Sequence, residues 1–100
     1  MSAKGGYVYI ITNYQKTTLY IGVTSNLFSR IYQHREGHGS QFTNHYQCKY
    51  LVYYEFLPTI MDAIQREKRL KKWNRAWKDE LITKFNPEWK DLFYEIEDMQ

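Results

Sequence analysis

Residues 7–12 alternate β-branched and aromatic side chains, residues 17–23 read as a second strand, and only Asn13-Tyr14-Gln15-Lys16 separates them. That alternation is the mark of a half-buried strand. A four-residue connection favours an antiparallel hairpin. The motif Tyr7-Val8-Tyr9 then lies beside Tyr20-Ile21-Gly22 on the neighbouring strand. Gly22, near the end of the second strand, removes a side chain and gives another group room to approach closely.

Thr24-Ser25-Asn26 signals the start of a helix, and Leu27, Phe28, Ile31 and Tyr32 give it an apolar stripe up to about Gly37. Arg30 and His34, four apart, share one face of it. Residues 37–47, with two glycines and many polar side chains, read as an exposed loop. Residues 50–56 form a third strand. Pro58 interrupts, and Thr59 with Asp62 resembles a capping box opening a long helix to about Asn74. The segment 73–78 turns into another helix through Phe85. Asn86-Pro87 then reads as the start of a short terminal helix over 88–94, docked through Trp89, Leu92 and Phe93.

The long helix carries the sharpest chemical signal. Ile60, Ala63, Ile64 and Leu70 define its apolar stripe, and Glu67 falls in the middle of it. An ionised carboxylate facing the core is costly unless a cation or strong hydrogen-bond donors accompany it. Two readings satisfy that demand. In one, Glu67 and Arg30 form a partly buried structural ion pair. In the other, Glu67 reaches a shallow cleft and holds a hard divalent cation through oxygen, as Mg²⁺ prefers, with water and substrate phosphate completing the shell.

Length and charge narrow the class. One hundred residues make a single domain, 1–100, with one modest core. No apolar run is long enough to cross a bilayer, the N-terminus lacks the hydrophobic region of a signal peptide, and the lone Cys48 excludes an internal disulfide. A reducing cytoplasm is the expected location. The net charge of +3 is unevenly spread: seven of fourteen Lys and Arg residues lie in 66–78, whereas the tail carries Glu95, Glu97 and Asp98. One face therefore suits a polyanion, or else is only a solvated helix surface. His38, His45 and Cys48 match no common zinc spacing. There is no Walker loop, dinucleotide fingerprint or serine elbow.

Taken in order, Tyr7-Val8-Tyr9, Leu19-Tyr20-Ile21-Gly22-Val23-Thr24, Asn26-Leu27 with Arg30 and His34, and Arg66-Glu67 to Leu70-Lys71-Lys72-Trp73 resemble the GIY-YIG nuclease superfamily. The likeness is strongest to its small single-domain bacterial members, which are related to the catalytic domain of the excision-repair nuclease subunit. It implies an α+β fold, a small three-stranded antiparallel or mixed sheet flanked by helices. By position, Tyr9 and Tyr20 match the motif tyrosines, Gly22 the glycine, Arg30 the arginine, His34 a helix histidine or tyrosine, and Glu67 the metal-binding glutamate. Tyr7 stands where the first motif has glycine, and Val23 where the repair nucleases carry lysine. A downstream site asparagine would be Asn74 or Asn86.

The implied activity is divalent-metal-dependent hydrolysis of DNA phosphodiester bonds, with Mg²⁺ or Mn²⁺, in repair or recombination. Tyr9 is the expected base once its hydroxyl is lowered by the metal or Arg30, with His34 relaying the proton. Arg30 grips the phosphate, and Tyr20 hydrogen-bonds phosphate or water. Arg66, Lys68, Arg69, Lys72, Arg75 and Lys78 are expected to hold the DNA backbone. Ordinary strand packing would also account for either tyrosine. The alternatives are a nucleic-acid-binding module with a weak or dormant site and a protein-interaction domain using its aromatic surface.

Overall fold

The computed structural model describes residues 5–99. Strands β1 (Gly6–Thr12), β2 (Leu19–Thr24) and β3 (Tyr50–Leu57) form one sheet in the order β2-β1-β3. Both pairings are antiparallel, which resolves the expected antiparallel or mixed sheet to the first. Helices α1 (Leu27–Arg35) and α2 (Gln41–His45) lie between β2 and β3 in the chain, and α3 (Ile60–Lys71) and α4 (Arg75–Phe85) follow β3.

Alternation along the strands feeds a core on each face. On one, Tyr9 and Ile11 pack with Leu27 and Ile31 of α1 and with Leu92, Phe93 and Ile96 of the C-terminal segment. On the other, Val8, Ile10 and Ile21 pack with Ala63 and Leu70 of α3 and Ile82 of α4. The β1–β3 register slips at Ile10/Ile11, leaving Val52 as the extra residue of a bulge. The buried side chain of Asn86 donates to the Val52 carbonyl at 3.2 Å.

Three expectations need correction. Residues 40–46 are not open loop: Ser40 accepts from the Thr43 amide at 3.1 Å while the Thr43 hydroxyl accepts from the Ser40 amide at 3.0 Å, and this capping box opens α2. A five-residue helix has no apolar periodicity to read, so only its cap could have announced it. The long helix also ends early, at Lys71, because Asn74 caps α4 by accepting from the Trp77 amide at 2.9 Å.

The third correction concerns 88–94. Asn86 does not begin a helix; its amide bonds the Ile82 carbonyl at 2.7 Å and so ends α4. Its side chain clasps Lys90 at both carbonyl and amide, Trp89 takes φ 54°, and regular structure resumes only as short 3₁₀ turns at Phe93–Glu95 and Glu97–Met99. Leu92 and Phe93 are buried as expected, whereas Trp89 packs half-buried against the opposite core. Among the described residues, no helix is long and apolar enough to cross a membrane.

Candidate active site

Tyr9 stands opposite Gly22 in the β1–β2 register. A Cβ at position 22 would fall 2.3 Å from the Tyr9 hydroxyl oxygen, so the phenol ring crosses the strand over a residue that must lack a side chain. The ring is 1% exposed. Tyr20, on the same face, has its ring centroid 6.5 Å from that of Tyr9. The hairpin therefore brings both motif tyrosines together, and Gly22 makes the room.

Helix α1 brings in His34, itself buried. Its Nε2 is 2.9 Å from the Tyr9 hydroxyl and its Nδ1 is 3.1 Å from Oγ1 of Thr43. The Thr43 hydroxyl donates to the Ser40 carbonyl at 3.2 Å. Ser40 Oγ also lies 3.1 Å from Oγ1; with the hydroxyl proton on Ser40, Oγ1 accepts from Nδ1–H of His34 and the Nε2 lone pair faces Tyr9. The result is a buried chain running Tyr9, His34, Thr43. Backbone supports it at close quarters: a Cβ on Gly39 would lie 2.1 Å from His34 Nδ1. Thr43, Ser40 and Gly39 were not among the residues expected at the site, although the Ser-x-x-Thr cap was there to be read.

Burial dominates the electrostatics. It pushes the Tyr9 phenol up to about 12 although the neighbouring Arg30 guanidinium pulls it down, with Tyr20 and Glu67 adding to the rise. The expected lowering by Arg30 is thus present but outweighed. Burial and, second, the Arg30 charge bring the His34 imidazole down to about 4, so it is neutral at pH 7. A protonated phenol hydrogen-bonded to an unprotonated imidazole is the resting arrangement.

Glu67 is near enough for its charge to act on Tyr9, as the smallest of the causes named above, and its side chain is 13% exposed. The ion pair considered with Arg30 is not formed. Glu67 instead meets Lys71 Nζ at 2.7 Å, one helical turn on, while Arg30 Nη1 donates to Gln33 at 2.9 Å. Lys71 was another omission. Among the described residues no three His, Cys, Asp or Glu side chains gather as a metal cage. One carboxylate is a donor set that fits a hard cation carried mainly by water and phosphate, and Lys71 sits on its Oε2.

The remaining expected residues separate into two groups. Arg66 pairs with Glu55 at 3.1 Å, and Arg75 is held by Asp79 at 2.6 Å and by the carbonyls of Lys16 and Thr17 at 2.8 and 2.9 Å. Lys68, Arg69 and Lys72 are exposed and Lys78 is half-buried. Tyr7 packs edge-on against Tyr54 and Phe56, a contact of the strand framework. Asn74 and Asn86 both spend their side chains on backbone groups.

The profile of the GIY-YIG catalytic domain matches residues 5–81. A UPF0213 protein of Syntrophus aciditrophicus is 39% identical over 83 residues, covering 82% of this chain and 93% of that protein. One from Clostridium perfringens is 39% identical over 77 residues, covering 77% and 82%, and one from Natronomonas pharaonis is 34% identical over 76 residues, covering 76% and 88%. No solved structure matches the chain.

Proposed function

The chain belongs to the GIY-YIG family, and from that membership we propose that it is a divalent-metal-dependent endonuclease cutting DNA phosphodiester bonds in repair or recombination. The observation that carries the reading is the buried Tyr9–His34–Thr43 chain with Arg30 and Glu67 beside it.

Hydrolysis requires a water to lose a proton as its oxygen bonds phosphorus and the P–O3′ bond breaks. A phenol near 12 will not yield a free phenolate at neutral pH. Nor is one needed. Tyr9 can accept the water proton on its oxygen while its own proton passes to His34 Nε2, so the phenol acts as a relay and the imidazole as the terminal base. Thr43 holds Nδ1–H and keeps Nε2 turned to Tyr9. Arg30 grips the phosphate as a charged fork, and Tyr20 bonds phosphate or water. Because Arg30 is one cause of the low His34 pKa, a phosphate neutralising that guanidinium makes the imidazole a stronger base when substrate is bound. Glu67 would hold Mg²⁺ or Mn²⁺, which when bound neutralises the leaving 3′-oxygen.

A second reading rests on the Glu67–Lys71 contact: a carboxylate already neutralised by lysine is what a dormant, DNA-binding site would display. A panel of DNA structures incubated with Mg²⁺ or Mn²⁺ separates the two. Cation-dependent cleavage abolished in folded Arg30→Ala and Glu67→Gln proteins supports the nuclease. Binding without cleavage by the unaltered protein supports the dormant module.

A further inference from the structure

Helix α2 has two faces with different fates. Thr43 is buried against His34, whereas Phe42 and Tyr46 are 44% and 46% exposed. The outward face is an aromatic tier: Tyr20 and Phe42 lie 5.9 Å apart at 33°, and Phe42 and Tyr46 are 4.7 Å apart at 45°. Leu19, Tyr20, Ile21 and Phe42 line a depression of about 330 Å³, and Lys71 and Lys78 close it. Tyr20 also stands edge-on to His34, with centroids 5.7 Å apart, so the depression adjoins the proton relay.

A purely apolar peptide would gain nothing from two lysines at the rim, whereas a nucleotide strand is a planar aromatic group flanked by phosphates and matches both parts. Paired bases are stacked inside their duplex and cannot offer a face to Phe42. We propose that this depression seats an unpaired nucleobase of the DNA substrate, stacked on Phe42, with Lys78 and Lys71 on the adjoining phosphates. The proposal rests on the nuclease reading and deepens it: the strand cut carries an unpaired nucleotide beside the scissile phosphate. Lys71 has a further part, since a cation taking Glu67 releases it to the phosphate.

Binding of labelled single-stranded dodecathymidine and of a duplex of equal length, followed by anisotropy in EDTA, tests this without any cleavage. Phe42→Ala should weaken single-strand binding by about 10-fold while leaving duplex binding within about twofold, and Phe42→Trp should restore it, as base–aromatic stacking requires. On a strand of abasic sites Phe42→Ala should have no effect. Equal weakening on both DNAs, an unchanged single-strand affinity, or no single-strand binding by the unaltered protein would overturn the base seat. Cation-dependent cleavage with unaltered single-strand binding by Phe42→Ala removes the seat and leaves the nuclease standing. A Phe42-dependent single-strand preference with no cleavage of any DNA does the reverse.

Discussion

At the scale of single residues, the mechanism proposed above makes Tyr9 and His34 a short proton path whose ends differ in what they can do. Tyr9→Phe removes the hydroxyl that links water to His34, and should lower turnover by about 10²- to 10⁴-fold with DNA affinity nearly unchanged, read as kcat against Kd. Thr43→Val leaves the shape and removes the acceptor for Nδ1–H. It should slow cleavage and shift the His34 tautomer signals in ¹⁵N spectra; unaltered spectra would show that Thr43 does not set the tautomer. His34 also predicts a pH dependence. Its folded pKa, about 4, lies below the ordinary 6.5, so between those values the unfolded chain binds a proton that the folded chain refuses. Stability therefore falls as pH drops from 6.5 toward 4 and is unaffected by this residue above that window. Melting temperatures of His34→Gln should show a shallower slope across it.

At the scale of elements, what positions Tyr9 and His34 is a set of ties between segments distant in sequence. Arg35 at the end of α1 donates to Asp91 at 2.7 Å and lies 4.3 Å from the Phe93 ring centroid, while the other Asp91 oxygen accepts from the Leu51 and Phe93 amides at 3.2 and 3.1 Å. One carboxylate thus fastens the C-terminal segment to both α1 and β3. Asp91→Ala takes the carboxylate from Arg35, which keeps only the Lys49 carbonyl and the Tyr94 hydroxyl, and strips the Leu51 and Phe93 amides of their side-chain acceptor; it should cost about 1–3 kcal/mol in urea unfolding. A cost well under that range would mean water replaces the carboxylate. The hairpin and the starts of α1 and α3 were legible beforehand, since alternation and the Asn26 and Thr59 caps are local signals. Helix α2 and the path of residues 86–92 were not. Their bonds run to His34, Val52 and Lys90, and Asn86 means the start of a helix only if no preceding carbonyl takes its amide.

At the scale of the molecule, a body of 42 × 28 × 25 Å carries a basic α3–α4 region whose charges are not equivalent. Arg66 and Arg75 are engaged with Glu55, Asp79 and the carbonyls of Lys16 and Thr17, so in the proposed complex the grip on DNA beyond Lys71 and Lys78 would fall to Lys68, Arg69 and Lys72. Replacing those three by Gln should weaken binding to all sequences alike and flatten the slope of log K against log salt by roughly 0.9 for each phosphate no longer neutralised. Arg75→Gln should instead lower stability with little change in that slope, because its guanidinium is engaged with the turn after β1. A salt series of the two variants decides the assignment; an unchanged slope in the triple variant would leave those residues as a solvated face.

The order of motifs was enough to determine the family, the three-stranded sheet with its helices, and the side-by-side placing of the two tyrosine motifs, because strand alternation, turn length and caps act over a few residues. Which groups touch was decided only by the fold. Glu67 reads as a carboxylate needing a cation, and the one paired with it in the fold is Lys71, not Arg30. His34 reads as a member of the site, but its tautomer and neutrality depend on Thr43, on burial and on Arg30. Such properties come from desolvation and from contacts between segments separated in sequence, and neither quantity exists until the chain has packed.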